Sequence, residues 1–234
     1  MMKDTLIQAV DSGWAFYAML ILALITVRIP VAGKYFRLVA TMVHEAAHAF
    51  TAFIFSGEII AVNLFADASG TTITKSKNKA SQALVAFAGY PLTSLTALLF
   101  LYLLQQHFEK YILFILLSLV MLLVVLFVRN TFGLVWSISF MALNIGLLYF
   151  ENQIVNYYFI AFYCCSLLAE SFLSTLVLLR LSYKNSKKAG DASNLAKITG
   201  IPAIIWAFLF FGIAVVTLYL SIIYTFPNVN SLLS

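Results

Sequence analysis

Long apolar segments separated by short polar loops dominate this chain of 234 residues. A transmembrane helix needs about 20 mostly apolar residues, and lipid leaves no other partner for the backbone polar groups of such a segment. Hydrophobic residues make up 63% of the chain and charged residues 10%, whereas soluble domains carry about 25% charged residues. The apolar segments are residues 13–33, 36–56, 83–104, 111–128, 131–150, 155–180 and 200–224. The sequence therefore predicts an all-α polytopic membrane protein, a bundle of about seven transmembrane helices.

The loops carry the net charge of +5, which predicts contact with the headgroups of the lipid bilayer and no nucleic-acid partner. Lys and Arg are more frequent in loops on one side, so the N-terminus is predicted to be cytoplasmic. Residues 1–234 are expected to form one membrane domain, since no soluble domain or internal repeat is evident. Cys164 and Cys165 are adjacent within a span and are interpreted as packing residues. Nothing indicates an oligomeric state.

The second apolar segment contains the motif His44-Glu45-Ala46-Ala47-His48. Two histidines four residues apart lie on one face of a helix, about one turn from each other. Both imidazoles can bind one metal ion, and Glu45 can act as the general base toward a water molecule. A pair of core histidines beside a buried glutamate is the alternative, but ionisable groups within a membrane are unfavourable and mark function. The motif therefore predicts a zinc site inside the membrane.

Residues 57–75 are the one stretch with strand character. Ile59 to Phe65 is rich in β-formers, Asp67-Ala68-Ser69-Gly70 is a turn signal, and Thr71 to Thr74 is β-branched. The pattern predicts a short β-hairpin directly after the motif helix, with a solvated loop as the alternative. A sheet edge beside a metal site would suit pairing with an unwound substrate segment. The hairpin residues expected to bind substrate are Asp67, Ser69 and Gly70.

A carboxylate elsewhere in the chain can supply a third metal ligand, and the residues alone leave several candidates open. Asp191 lies in the polar loop 184–199, where it would also suit the cap of a short helical turn beginning near Leu195. Glu170 lies in the middle of a span and could bind zinc, orient a ligand histidine or stay protonated against a neighbouring helix. Asp67 in the hairpin is the third candidate.

Two features of other spans also predict roles. Asn144 lies mid-span, where it would hydrogen-bond across helices or bind substrate by contacting an oxyanion. Gly89 and Pro91 are expected to set close packing and a kink where the third span begins.

The chain resembles the M50 family of intramembrane zinc metalloproteases, the site-2 protease type, and within it the M50B-like branch. The resemblance covers about residues 36–206, and its first block is specific for a zinc site. The blocks, in order, are Val43-His44-Glu45-Ala46-Ala47-His48-Ala49, a Gly57-containing hairpin with Asp67-Ala68-Ser69-Gly70, Ala88-Gly89-Tyr90-Pro91, Arg129-Asn130 with Gly133, and Asp191-Ala192 leading into Thr199-Gly200-Ile201-Pro202.

The resemblance implies an endopeptidase that hydrolyses peptide bonds of transmembrane protein substrates. It implies zinc bound by His44, His48 and Asp191, with Glu45 as the general base. Better-known members carry an Asp-Gly dipeptide at the third ligand, whereas this chain has Asp191-Ala192, which matches the M50B-like pattern. The difference keeps open a catalytically silent relative that binds or escorts membrane proteins. A small transporter is a further alternative, for which inverted repeats would be expected and none is evident.

Overall fold

The computed structural model describes residues 13–55, 57–150 and 152–225, without the side chains of 13–15. Among those residues, six helices are long and apolar enough to cross a membrane, and a shorter apolar helix precedes them. The protein is therefore an integral, multi-pass membrane protein, and the predicted all-α polytopic fold with a β-hairpin is confirmed. The predicted cytoplasmic N-terminus and the extension of one domain over the whole chain reach into residues outside the described ranges, and both stay predictions.

The described elements follow one another with short connections. The helices are α1 (Gly13–Thr26), α2 (Ala32–Phe55), α3 (Lys79–Gln105), α4 (Glu109–Leu126), α5 (Thr131–Phe150), α6 (Gln153–Lys184), α7 (Gly190–Thr199) and α8 (Ala203–Tyr224), with strands β1 (Glu58–Leu64) and β2 (Gly70–Lys75) between α2 and α3 and a 3₁₀ turn (Ser186–Lys188) before α7.

The first two predicted spans have different bounds from those expected. Helix α1 ends at Thr26 rather than continuing to residue 33, and α2 begins at Ala32. Pro30 lies in the turn between them, where its ring restricts the residue before it to extended backbone. A Cβ atom at Gly33 would lie 2.5 Å from the Thr26 carbonyl oxygen, so only glycine lets the two helices meet this closely. The described part of α1 is therefore too short to count among the six long spans.

Helices α2, α3 and α6 pack against one another and form the centre of the bundle. The contact face of α2 is made of small buried residues, including Ala46, Ala49 and Ala52, which allow the close helix approach that packing in lipid depends on. Helix α6 has 32 residues and is about 48 Å long, so it extends beyond a hydrocarbon core of about 30 Å. Helices α7 and α8 cover α3, while α4 and α5 pair with each other.

Strands β1 and β2 form the predicted antiparallel hairpin, which lies alongside α2. The hydroxyl of Thr41 donates a hydrogen bond of 2.8 Å to the carbonyl of Ala68 at the hairpin turn. The hairpin therefore folds back beside the motif helix, with its turn next to the N-terminal half of α2.

The outer edge of β1 is already paired. The N–H of Val62 donates to Phe127 O at 2.9 Å, and the N–H of Arg129 donates to Val62 O at 3.4 Å. Asn130 continues this contact with its side chain, because its Nδ2 donates to Leu64 O at 2.5 Å and its Oδ1 accepts from Leu64 N at 3.2 Å. The segment between α4 and α5 thus closes one edge of the hairpin, and among the described residues no strand pairs with the outer edge of β2.

Candidate metal centre

The two histidines of the motif face each other on α2. Their Nε2 atoms are 3.1 Å apart, and their rings meet edge to face with centroids separated by 4.7 Å. This is the arrangement predicted from their spacing of four residues on a helix.

Asp191 is brought to both histidines by the short helix α7. Its Oδ2 lies 3.1 Å from His44 Nε2 and 3.2 Å from His48 Nε2. Ala189 is the N-cap of α7 and Asp191 lies in the first turn, so the alternative of Asp191 as a helix cap is wrong. The helix also begins at Gly190 rather than near Leu195. Among the described residues, these three side chains form a group that could hold a metal ion.

The electrostatics of Asp191 follow from its neighbours. Burial alone would raise the pKa of this carboxyl group, because it disfavours the charged form. The charge of His48 and hydrogen bonds to His44 and His48 outweigh burial and hold the pKa of Asp191 well below its usual range. These contacts favour the carboxylate form of Asp191 over the neutral acid.

The donor atoms fit a zinc ion in chemistry and spacing. His48 Nδ1 lies 2.7 Å from the carbonyl oxygen of Val85 and must donate to it, which leaves Nε2 as the atom through which His48 would bind a metal ion. Nε2 of His44, Nε2 of His48 and Oδ2 of Asp191 thus face one point. Their separations of 3.1–3.2 Å are close to the donor spacing of about 3.3 Å in a tetrahedral site with bonds of about 2.0–2.1 Å.

Glu45 lies on the same helix and is buried, with 5% of its surface exposed. The hydroxyl of Thr72 on β2 lies 2.6 Å from Glu45 Oε2 and 3.1 Å from its backbone oxygen. Sequence reasoning missed Thr72, because its β-branched side chain indicated only a strand. The contact depends on how the hairpin packs against α2, which the local sequence does not specify.

The backbone of α3 lies directly against the two histidines at Gly89. A Cβ atom there would lie 2.4 Å from His44 Cε1 and 2.6 Å from His48 Nε2. The next residue, Tyr90, places its ring edge-on to His44 with centroids 4.7 Å apart. Gly89 therefore provides the close packing that was expected from a glycine at this position. Helix α3 begins earlier than expected, at Lys79, so Pro91 lies in its interior and not at its start.

The other two candidate ligands have different partners. Glu170 accepts a hydrogen bond of 3.0 Å from Nε of Arg37 and forms an ion pair with it. Asp67 accepts hydrogen bonds from the hydroxyl and the N–H of Ser69, at 2.6 and 3.0 Å, within the hairpin turn. These bonds lower the pKa of the exposed Asp67 carboxyl group. Neither carboxylate belongs to the histidine group in the described part of the chain.

A cavity of about 880 Å³ contains the histidine group and Glu45. Ser69 and Gly70, two of the predicted substrate-binding residues, line this cavity, whereas Asp67 and Asn144 do not. Asn144 is buried in α5 and donates to the carbonyl of Phe140 at 2.6 Å, so nothing in its position supports contact with substrate. Further polar side chains line the cavity. They are Ser76, Asn78, Gln82, Asn194 and Lys197.

The outer edge of β2 faces this cavity. In an antiparallel strand, the N–H and C=O groups of alternate residues point to opposite edges. Val62 and Leu64 of β1 direct theirs away from β2, so those of the residues between them point to β2. By the register of the hairpin, residues of β2 then alternate in the same way. The residues that direct N–H and C=O groups outward, and that also line the cavity, are Gly70, Thr72 and Thr74.

A family model described as Peptidase M50B-like matches residues 17–221 of the chain. The chain belongs to the M50B-like peptidase family. No curated protein and no solved structure gives a significant match. The histidine group of this M50B-like protein lies within the matched residues, as do Glu45 and the hairpin.

Proposed function

We propose that this M50B-like protein is an intramembrane zinc-dependent endopeptidase that hydrolyses peptide bonds of membrane-embedded protein substrates. The observation that carries the proposal is the triangle formed by donor atoms of His44, His48 and Asp191, which opens into the same cavity as Glu45. A structural metal site is closed by protein ligands, whereas a catalytic site keeps a position open and has a general base nearby. Three protein donors and a buried glutamate match the catalytic kind.

The chain's own groups divide the chemistry between them. His44, His48 and Asp191 hold the ion, and the Val85 carbonyl fixes the ring of His48 for that purpose. Zinc, when bound, supplies a Lewis acid that polarises the scissile carbonyl and favours ionisation of water. Glu45 accepts the proton of the attacking water and later delivers it to the leaving amine. The proton thus stays at one carboxylate between the two steps.

The substrate is a transmembrane protein segment that must first unwind, since the carbonyls of an intact helix are hydrogen-bonded and covered. An extended segment can add to a sheet edge through main-chain hydrogen bonds. The hairpin offers one such edge at the cavity, because β1 is already paired with residues 127–130 on its other side. We assign the outer edge of β2 as the docking strand, with Ser69 and Gly70 at its start.

Water reaches Glu45 through this cavity, whose wall includes Asn194 and Lys197 of α7. The four lysines of residues 184–199 favour the cytoplasmic side for this part of the cavity, by the rule that cytoplasmic loops are positively charged. The cleaved bond would then lie near the cytoplasmic half of the bilayer.

The test is cleavage of single-span substrates in vesicles by the purified full chain, together with its zinc content. We expect one zinc per chain and cleavage by wild type, retained zinc without cleavage in Glu45→Gln, and loss of zinc in His44→Ala. Cleavage by Glu45→Gln at the wild-type rate would refute the mechanism. A wild-type protein that binds substrates without stoichiometric zinc would instead support the catalytically silent relative.

A further inference from the structure

The carboxylate of Glu45 is held by a residue of the hairpin, Thr72. Its hydroxyl has one proton and two acceptors within reach, Oε2 at 2.6 Å and the backbone oxygen at 3.1 Å. The shorter contact has the length of a charge-assisted O–H···O⁻ bond, about 2.5–2.7 Å, so Thr72 donates to the carboxylate. A glutamate side chain has several rotatable bonds, and this hydrogen bond selects one orientation of its end group.

Gly70 makes the second contact between β2 and Glu45. A Cβ atom at Gly70 would lie 2.7 Å from Cγ and from Oε1 of Glu45, and 2.7 Å from Cγ2 of Thr41. Gly70 and Thr72 are two residues apart and share one face of the strand. The first lets the strand backbone lie against the Glu45 side chain, and the second binds its carboxylate.

The strand that touches Glu45 is also fixed in place by contacts outside the site. Thr41 binds the hairpin turn at Ala68, and Asn130 binds β1 at Leu64. A displacement of β2 along or away from α2 would therefore move the Thr72 hydroxyl that donates to Glu45. The position of the general base depends on the position of the hairpin.

We propose that Thr72 is a positioning residue that aligns the Glu45 carboxylate for catalysis and couples this alignment to β2, the strand assigned as the substrate-docking edge. This inference rests on the proposed endopeptidase function. The main chain of Thr72 directs its N–H and C=O to the docking edge, while its side chain binds the base. One residue thus connects the docked substrate with the group that activates water.

The physical consequence is a change in kcat without a change in zinc binding. Replacing Thr72 by Val keeps the β-branched shape and removes only the hydroxyl, so the docking edge and its affinity for substrate remain. Loss of alignment in a general base lowers the rate by part of the roughly 10²–10⁴-fold that acid–base catalysis contributes. We expect kcat to fall about 10- to 100-fold, with KM within about twofold of wild type.

The experiment compares Thr72→Val, Thr72→Ser and Thr96→Val in the full chain, with zinc content, kcat and KM measured on a single-span substrate in vesicles. Ser restores the hydroxyl and is expected to recover kcat to within about threefold of wild type. In the described part of the chain, Thr96 donates to the carbonyl of Leu92 in its own helix and does not line the cavity, so its Val variant should match wild type.

Three results would overturn the inference while wild type still cleaves: an unchanged kcat in Thr72→Val, a rise in KM alone, or no recovery in Thr72→Ser. Loss of zinc in Thr72→Val would also overturn it, since that result assigns Thr72 to folding rather than to alignment of Glu45. Absence of cleavage by zinc-loaded wild type is a different outcome, because it refutes the proposed function on which the inference depends.

Discussion

Gly89 lies so close to His44 that a Cβ atom on it would be 2.4 Å from the ring carbon Cε1. The same atom would be 2.6 Å from Nε2 of both His44 and His48. The bare backbone of α3 therefore forms the wall against which both imidazoles rest, and no side chain fits there without moving them.

Gly89→Ala is expected to abolish or strongly weaken zinc binding, by about 100-fold or more in Kd, because displaced imidazoles lose their common point of coordination. Titration with zinc measures the effect. Gly146→Ala is the matched control, since its Cβ would meet no atom within 4 Å. Normal zinc affinity in Gly89→Ala would show that the rings can shift without cost.

The third ligand is tested by two substitutions that each remove one negative charge. Asp191→Asn is expected to weaken zinc binding by more than about 100-fold, because its Oδ2 touches both imidazoles. Glu170→Gln should leave zinc binding within about threefold of wild type, because Glu170 bonds to Arg37. The measurements are the zinc content and zinc affinity of both variants. Weakened binding in Glu170→Gln with normal binding in Asp191→Asn would assign Glu170 as the ligand.

The sequence predicted the parts of this molecule that depend on local pattern. Apolar length gave the spans, strand propensity gave the hairpin, and a spacing of four residues placed His44 and His48 together. The short α1 was not foreseen, because the apolar run continues past Thr26 and only the Pro30 turn and the packing of Gly33 end the helix.

Local sequence pattern does not specify the contacts between distant segments of this chain. The residues alone left Asp191, Glu170 and Asp67 open as the third ligand, and the resemblance to the M50B-like branch favoured Asp191. The bond of Thr72 to Glu45 depends on how the hairpin lies against α2, which neither periodicity nor composition determines. Asn144 shows the converse, since it was expected to hydrogen-bond across helices or to contact substrate, and its amide donates to Phe140 O in its own helix.

Asn130 is predicted to stabilise the hairpin without affecting the metal ligands. Asn130→Asp keeps an acceptor for the N–H of Leu64 but replaces the donor to Leu64 O with a carboxylate oxygen. Leaving a partly buried carbonyl unpaired costs about 1–3 kcal/mol, so the thermal midpoint should fall. Zinc affinity should stay within about threefold of wild type, because Asn130 touches no ligand. An unchanged midpoint would show that this contact contributes nothing to the fold.

Zinc itself is expected to stabilise the fold, since its ligands come from α2 and α7, two elements far apart in sequence. A ligand present at 100 times its Kd adds about 2.7 kcal/mol to stability. Chelation should therefore lower the thermal midpoint of wild type, and added zinc should restore it. His44→Ala lacks a ligand and should show neither response. A midpoint of wild type that is insensitive to chelator would contradict specific zinc binding by the folded protein.

The assignment of β2 as the docking strand gives a final prediction at Thr74. Its N–H points to the outer edge, away from β1, so Thr74→Pro removes one main-chain donor from the docking edge and leaves the pairing of the hairpin in place. We expect KM for a single-span substrate to rise about 5- to 20-fold, with zinc content unchanged and kcat within about twofold of wild type. Ile73→Pro is the contrasting variant, because the N–H of Ile73 points to β1 and its loss should disrupt the hairpin and lower kcat as well. The two variants differ in which edge of β2 loses an N–H donor. Equal kinetic effects of the two prolines would therefore argue against docking at the outer edge.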